Sequence, residues 1–155
     1  FAADLDSGCL VDAYCGIGTI SLPLAAAGFD LVGVELNPDS IEQARSNARM
    51  NGLHDRCRFV AGDVADHLGQ ALAGCDGLVL DPPRRGLDDR VIEAILGSPP
   101  PLLAYLSCDA ATQARDLRRL VGPSGCYRLE RLQPIDFFPQ TSHLESLALL
   151  KRISS

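Results

Sequence analysis

The sequence predicts an α/β domain: a doubly wound, seven-stranded, mostly parallel sheet closed by an antiparallel hairpin. Three observations carry this. Short apolar runs alternate with helix-like stretches through the first 120 residues, the rhythm of βα units. Turn residues stand at the ends of the runs: Gly28, Asn51-Gly52, Pro82-Pro83 and Gly122-Pro123. After Gly122 the rhythm changes, and two strand-like segments follow with only a loop between them.

The elements follow in order. Residues 8–12 read as the first strand and 20–27 as a helix stopped at Gly28. Residues 31–35 form the second strand. Asp39 is the expected cap of a helix running to Met50, with Ile41, Ala44 and Ala48 at helical spacing. Residues 57–61 are a short third strand and 64–72 a short helix. A fourth strand, 76–80, is halted by Pro82-Pro83, since proline cannot donate to a ladder. Helix 88–96, strand 102–106 and helix 112–120 complete five βα units. Strands 127–132 and 144–150 form the hairpin.

Composition agrees with a globular domain. The chain has 155 residues, 46% hydrophobic and 22% charged, enough for one domain with a real core. No apolar run approaches the roughly 20 residues of a membrane span. The acidic N-terminal stretch does not resemble a signal peptide. The six cysteines form no CxxC and no Cys–His finger spacing, so no metal or iron–sulfur cluster is expected in this segment. Cys9, Cys57, Cys75 and Cys126 read as small core residues of a reduced, cytoplasmic protein. Cys15 and Cys108 fall at strand ends, where chemistry collects in such sheets.

The net charge of −6 excludes a uniformly basic protein, but it is unevenly spread. Residues 1–77 carry eleven acidic and four basic side chains, residues 78–155 nine and ten. Thirteen of the fourteen basic residues are Arg, which suits bidentate phosphate contact. Any nucleic-acid face is therefore expected on the second half.

The first strand runs into Asp12-Ala13-Tyr14-Cys15-Gly16-Ile17-Gly18-Thr19, a glycine turn that lets a ligand approach the backbone. A dinucleotide site would want a third glycine where Ser21 stands. Asp12 would repel a pyrophosphate but could meet the ammonium group of S-adenosylmethionine. Glu35 ends the second strand, where a carboxylate can accept ribose hydroxyls. Asp63 follows the third and could face the adenine amino group. One acid after each of three strands makes a nucleoside pocket. Asp81-Pro82-Pro83-Arg84 ends the fourth strand, with Arg84 where amine methyltransferases place an aromatic ring to stack on the base. The fifth strand delivers Ser107-Cys108-Asp109 to the same crevice.

Together with DFFPQTSHLE at 136–145, these motifs make the chain resemble the RNA uracil-5-methyltransferase family. The matching pieces are DAYCGIGT at 12–19, GVE at 33–35, NARMNG at 47–52, DPPRRG at 81–86, SCD at 107–109 and ARDL at 114–117. The resemblance implies a Rossmann-like class I methyltransferase fold and S-adenosylmethionine as cofactor. It implies transfer of a methyl group to carbon 5 of a uridine in tRNA or rRNA. It makes Cys108 the nucleophile and Glu145 the base that removes the carbon-5 proton. Cofactor contacts fall on Tyr14, Glu35 and Asp81, with Gly16 and Gly18 shaping the loop and Thr19 and Asp63 as further candidates. Arg84, Arg85 and Arg115 are candidate RNA contacts. His143 receives no role beyond support, and no protein partner can be inferred.

Two departures stand out. Ala110 replaces the usual proline after the nucleophile. The family also carries more chain before the first strand, commonly an RNA-binding barrel and a central domain. With Phe1 rather than Met at its start, residues 1–155 are expected to be the catalytic domain of a longer protein. The alternative is a domain that binds S-adenosylmethionine without catalysis, as a scaffold or RNA adaptor.

Overall fold

A computed structural model describes residue 5, residues 7–136 and residues 145–153. Residues 137–144, most of the expected loop with His143 and the first residue of the expected last strand, and the acidic residues Asp4 and Asp6 lie outside the described residues. The elements are β1 (Cys9–Ala13), α1 (Ser21–Ala26), β2 (Asp30–Glu35), α2 (Pro38–Met50), β3 (Cys57–Ala61) and α3 (Val64–Ala71). They continue with β4 (Gly77–Leu80), α4 (Asp89–Gly97), β5 (Leu102–Ser107), α5 (Ala110–Val121), β6 (Tyr127–Ile135) and β7 (Glu145–Arg152).

The seven strands lie in the order β3-β2-β1-β4-β5-β7-β6. β1 to β5 are parallel, and β7 runs antiparallel between β5 and β6. The order reverses direction between β1 and β4. At such a switch point the loops after the two strands diverge and leave a crevice at their carboxyl ends.

The strands form because their apolar residues are buried on both faces of a parallel sheet. On one face Val11, Val34, Leu78, Leu80, Leu103 and Tyr105 pack against Val64 and Leu68 of α3, Ile92 and Ile95 of α4 and Leu120 of α5. On the other, Leu10 and Leu31 meet Ala25 of α1 and Phe29 just beyond it. Ile41, Ala44 and Ala48 of α2 close over Phe59 and Cys15. Cys15 is therefore a core residue, and its place at a strand end is a packing position rather than a reactive one.

Gly33 makes that second face possible. A Cβ there would stand 2.5 Å from the Phe59 ring and 2.8 Å from Cys15 Sγ. Both neighbours are buried and cannot move freely. Gly33→Ala is expected to destabilise the domain by about 1–3 kcal/mol, read as a lower urea midpoint with an unchanged slope.

Several boundaries differ from the sequence expectation for local reasons. Asn37, not Asp39, caps α2: its side chain accepts from the N–H of Asp39 at 2.9 Å, and Pro38 occupies the first turn. α5 starts at Ala110 because Asp109 accepts from the N–H groups of Ala111 and Thr112. β6 runs on to Ile135, past the register shift between Leu129 and Arg131, which breaks the period-2 pattern of side chains. Of the four cysteines expected in the core, Cys75 is buried while Cys9, Cys57 and Cys126 are half-buried.

Candidate active site

The glycine loop after β1 is held from below. The N–H groups of Tyr14 and Cys15 both donate to Val34 O, at 2.8 and 3.1 Å. Tyr14 takes a left-handed φ of 67°, costly for a residue with a side chain and typical of a strained functional turn. Gly16 follows at φ 53°, and its N–H donates to Glu35 Oε2 at 3.3 Å. Glu35 Oε1 accepts from the Asn37 N–H at 2.9 Å. One carboxylate thus ties the loop to the end of β2.

Asp12 is placed differently from the expectation. It is fully buried beneath the loop, where its Oδ2 accepts from Ser21 Oγ at 2.5 Å. It joins β1 to the first turn of α1 instead of presenting a carboxylate to the crevice. Its Oδ1 is buried without a hydrogen-bond partner. Burial pushes its pKa up to about 7, with the charge of Asp81 adding and the Ser21 bond opposing. Because the folded value lies above the unfolded one, the folded state holds the extra proton between about pH 4 and 7. Stability from this group is full below that window and is lost as pH rises through it, by at most about 1.4 kcal/mol per pH unit. Asp12→Asn keeps the shape and the acceptor for Ser21. The difference in stability between variant and wild type is expected to grow from pH 4 to 7 in the variant's favour, measured by urea unfolding at each pH.

The crevice above the loop is a cavity of about 350 Å³. Its polar lining is Tyr14, Glu35, Asp63, Asp81, Asp88 and Arg85; Leu36, Val64 and Pro83 supply apolar wall. Asp63 caps α3 through the Ala65 N–H, at 2.9 Å. Arg90 spans the outer rim, 3.7 Å from Asp63 and 2.9 Å from Asp66. Burial first, and then the Asp63 charge, push the Tyr14 hydroxyl up to about 12, so it remains a donor at neutral pH. Four carboxylates against Arg85 in the lining and Arg90 at the rim, which reaches Asp63 and Asp88, leave an acidic excess that disfavours a pyrophosphate and favours a ligand with cationic groups and hydroxyls. Asp88 escaped the sequence reading, because only the fold brings the start of α4 to this rim. Thr19 is exposed and lies outside the lining, whereas Gly18 is buried beneath the turn.

The second half of the site lies one strand further along the sheet. Ser107 Oγ accepts from the Asp109 N–H at 3.1 Å and donates to Asp109 O at 3.0 Å, a tight turn that presents the half-buried Cys108. The Asp109 carboxyl is held below its usual range, chiefly by the Thr112 N–H. The β5–β7 ladder ends on the pair Ser107 and Ser146. Cys108 is the next residue after that pair on one chain segment, where the Ser107–Asp109 turn leaves the ladder, and Glu145 is the residue before it on the other. Burial, and then the Glu145 charge, raise the Asp81 carboxyl above its ordinary value, which places Asp81 and Glu145 in one electrostatic neighbourhood. Asp81, Cys108 and Glu145 thus stand at the same end of the sheet, at the ends of β4 and β5 and the start of β7, and Asp81 also lines the cavity.

The loop from Asp81 to Leu87 is strapped to α5. Thr112 Oγ1 donates to Arg84 O at 3.1 Å, and Arg115 Nη2 to Arg85 O at 2.9 Å. Buried Asp116 accepts from the Leu87 N–H and the Tyr105 hydroxyl, both at 2.8 Å. Gly86, at φ 77°, is required there, since a Cβ would lie 2.5 Å from Asp116 Oδ2. Arg115 also donates to Asp116 Oδ1 at 2.9 Å. Its guanidinium thus helps to hold the loop, while more than half of the side chain stays exposed. Arg84 and Arg85 are exposed on that loop, and Arg85 reaches the cavity. Elsewhere on this half Arg119 pairs with Asp89 and Arg128 with Glu130, so part of the Arg excess is neutralised locally. Among the described residues no cluster of His, Cys, Asp and Glu could hold a metal ion, and no helix is long and apolar enough to cross a membrane.

Known proteins place this architecture. Residues 2–153 match the family of tRNA (uracil-5-)-methyltransferases. An uncharacterized RNA methyltransferase of Parasynechococcus marenigrum is 70% identical over 149 residues, covering 96% of this chain and 32% of the relative. Another, from Gloeobacter violaceus, is 53% identical over 143 residues, covering 92% and 30%. The crystal structure of Pyrococcus abyssi tRNA (uracil-54, C5)-methyltransferase in complex with S-adenosyl-L-homocysteine aligns with a TM-score of 0.79 at 32% identity, over 91% of this chain and 33% of that one. An rRNA methylase of Streptococcus thermophilus, 16% identical, aligns with a TM-score of 0.73 over 96% and 89%, a likeness of fold alone. The fold is the Rossmann-like class I methyltransferase fold, and the chain spans about a third of the length of the curated relatives named. The chain belongs to the tRNA (uracil-5-)-methyltransferase family.

Proposed function

We propose that this chain is the catalytic domain of an S-adenosylmethionine-dependent RNA uracil-5-methyltransferase that works through a covalent cysteine adduct. What supports the reading is that Cys108 and Glu145 flank the last paired residues of the neighbouring strands β5 and β7, while Asp81 feels the Glu145 charge and lines the acid-rich cavity. That lining fits the cofactor: Glu35 can accept ribose hydroxyls, and the excess of carboxylates suits a ligand with sulfonium and ammonium charge. Tyr14 and the backbone of the glycine loop give it a shaped wall. When bound, the cofactor supplies an electrophilic methyl group.

The protein's own groups do the rest. Carbon 5 of uracil is a poor nucleophile. Addition of the Cys108 thiolate to carbon 6 forms a C–S bond and moves the ring electrons to the carbonyl oxygen, giving an enolate with a nucleophilic carbon 5. After methylation, Glu145 takes the proton from carbon 5. The C–H electron pair forms the 5,6 double bond, the C–S bond breaks and the thiolate is regenerated. Asp81 walls the cofactor side of this space. The RNA is held in part by chain outside this domain, and Arg84 and Arg85 are placed to meet it at the loop.

Nucleoside analysis tests the reaction. The full-length protein, given labelled cofactor and cellular tRNA or rRNA, is expected to produce 5-methyluridine. Label on an exocyclic nitrogen, or cofactor binding without transfer to any RNA, would overturn the reading, the second outcome in favour of a scaffold.

A further inference from the structure

One buried polar side chain near the site has no part in the chemistry above. Gln113 sits on α5, one turn after the Asp109 cap, on the face that carries Leu117 and Leu120 toward the sheet. It is buried, and its amide is satisfied by two other elements. Nε2 donates to Tyr105 O of β5 at 2.9 Å and to Ser146 O of β7 at 3.2 Å. Oε1 accepts from Ser146 Oγ at 2.5 Å. An apolar side chain would fill the same place without the cost of desolvating an amide. What the amide adds is direction: it ties the backbone and the side chain of one residue in β7 to α5.

That residue is the immediate neighbour of Glu145. Cys108 is likewise joined to α5, through the Asp109 cap. The helix therefore holds the nucleophile at its N-terminus and the start of β7 at Gln113. We propose that Gln113 and Ser146 are positioning residues that set the Glu145 carboxylate relative to the Cys108 adduct. This rests on the uracil-5-methyltransferase reading. In that reaction Glu145 acts only after methyl transfer, when the carbon-5 proton leaves and the C–S bond breaks with its electron pair returning to sulfur. A displaced Glu145 leaves addition and methyl transfer intact and stalls release, so the methylated RNA stays bound to Cys108.

The test uses the full-length protein, S-adenosylmethionine and an RNA with ordinary uridine, and compares the first methyl transfer with steady turnover and with covalent adduct on denaturing gels. Gln113→Met keeps the volume and removes all three hydrogen bonds. Its first transfer is expected to match wild type, while turnover falls by about tenfold to a hundredfold, the scale of a small misplacement of a reacting group, and adduct accumulates. Ser146→Ala removes one hydroxyl only and is expected to shift in the same direction by less, which keeps the test open if Gln113→Met folds poorly. Equal loss of first transfer and turnover in both variants, or no adduct in either, would overturn the proposal. Glu145→Gln is the reference. If it accumulates adduct and the other two do not, the positioning role alone fails. If it accumulates none, the assignment of Glu145 fails and the proposal falls with it.

Discussion

Cys108→Ala is expected to lower methyl transfer by at least about a thousandfold, the scale of removing a covalent nucleophile, and to leave cofactor affinity unchanged. The reason is geometric. Cys108 stands in a turn closed by Ser107 and Asp109, just past the end of β5, and is not among the residues that line the cavity. Its loss removes the addition to carbon 6 and nothing that holds the cofactor. Rapid-quench methyl transfer with the full-length protein and calorimetric titration with S-adenosylhomocysteine measure the two sides. Retained transfer in the variant would mean that the ring is activated by another group.

Glu145→Gln is expected to fail later in the reaction. Addition and methylation need no base at carbon 5, so the first methyl group still arrives. Proton removal does need one, and losing a positioned base costs about a hundredfold to ten thousandfold in turnover. The enzyme then collects as a denaturation-resistant complex with methylated RNA, visible as a shifted band that carries label from the cofactor. The two variants therefore part company: one makes no adduct, the other cannot release it. Glutamine keeps the size of the side chain and removes the Glu145 charge, which after burial is the smaller of the two causes that raise the Asp81 carboxyl, so the Asp81 pKa should fall part of the way toward its ordinary value.

Much of this was legible in the residues because the features were local. Parallel strands buried on two faces are continuous apolar runs, and LVGVE and LLAYLS read as strands without any tertiary knowledge. Cys108 and Asp81 follow strands directly, so their place at the crevice came from chain order alone. Glu145 was legible only through the resemblance; its place at the same sheet end as Cys108 depends on β7 running antiparallel beside β5.

The misreadings share one cause: a side chain's role depended on what folded against it. Asp12 has the position of a ligand-binding acid but lies under α1, where Ser21 takes its oxygen. Arg115 is an exposed guanidinium, but one that also has a structural task the sequence did not show. Its partner is the next residue in the chain, and adjacent helical residues do not normally face each other. They meet because both turn toward the loop at Arg85 and Leu87. Gln113 gave no signal, being a polar residue on the buried side of a helix, and Asp116 entered only as part of the ARDL match, without a role. The approach of α5 to the loop after β4 and to the start of β7 gives them meaning. The charge asymmetry between the halves stands, but Arg115 and Arg119 are each paired with a carboxylate of their own half.

The central claim is a covalent bond between one named sulfur and a uracil ring. The most direct measurement is peptide mapping of the complex formed by the full-length protein, S-adenosylmethionine and RNA carrying 5-fluorouridine, whose carbon-5 fluorine cannot leave as a proton. The account predicts a stable complex whose nucleotide-bearing peptide contains Cys108, with the methyl group already on the ring. A modified peptide carrying another of the six cysteines, or no stable complex while uridine RNA is still methylated, would contradict it.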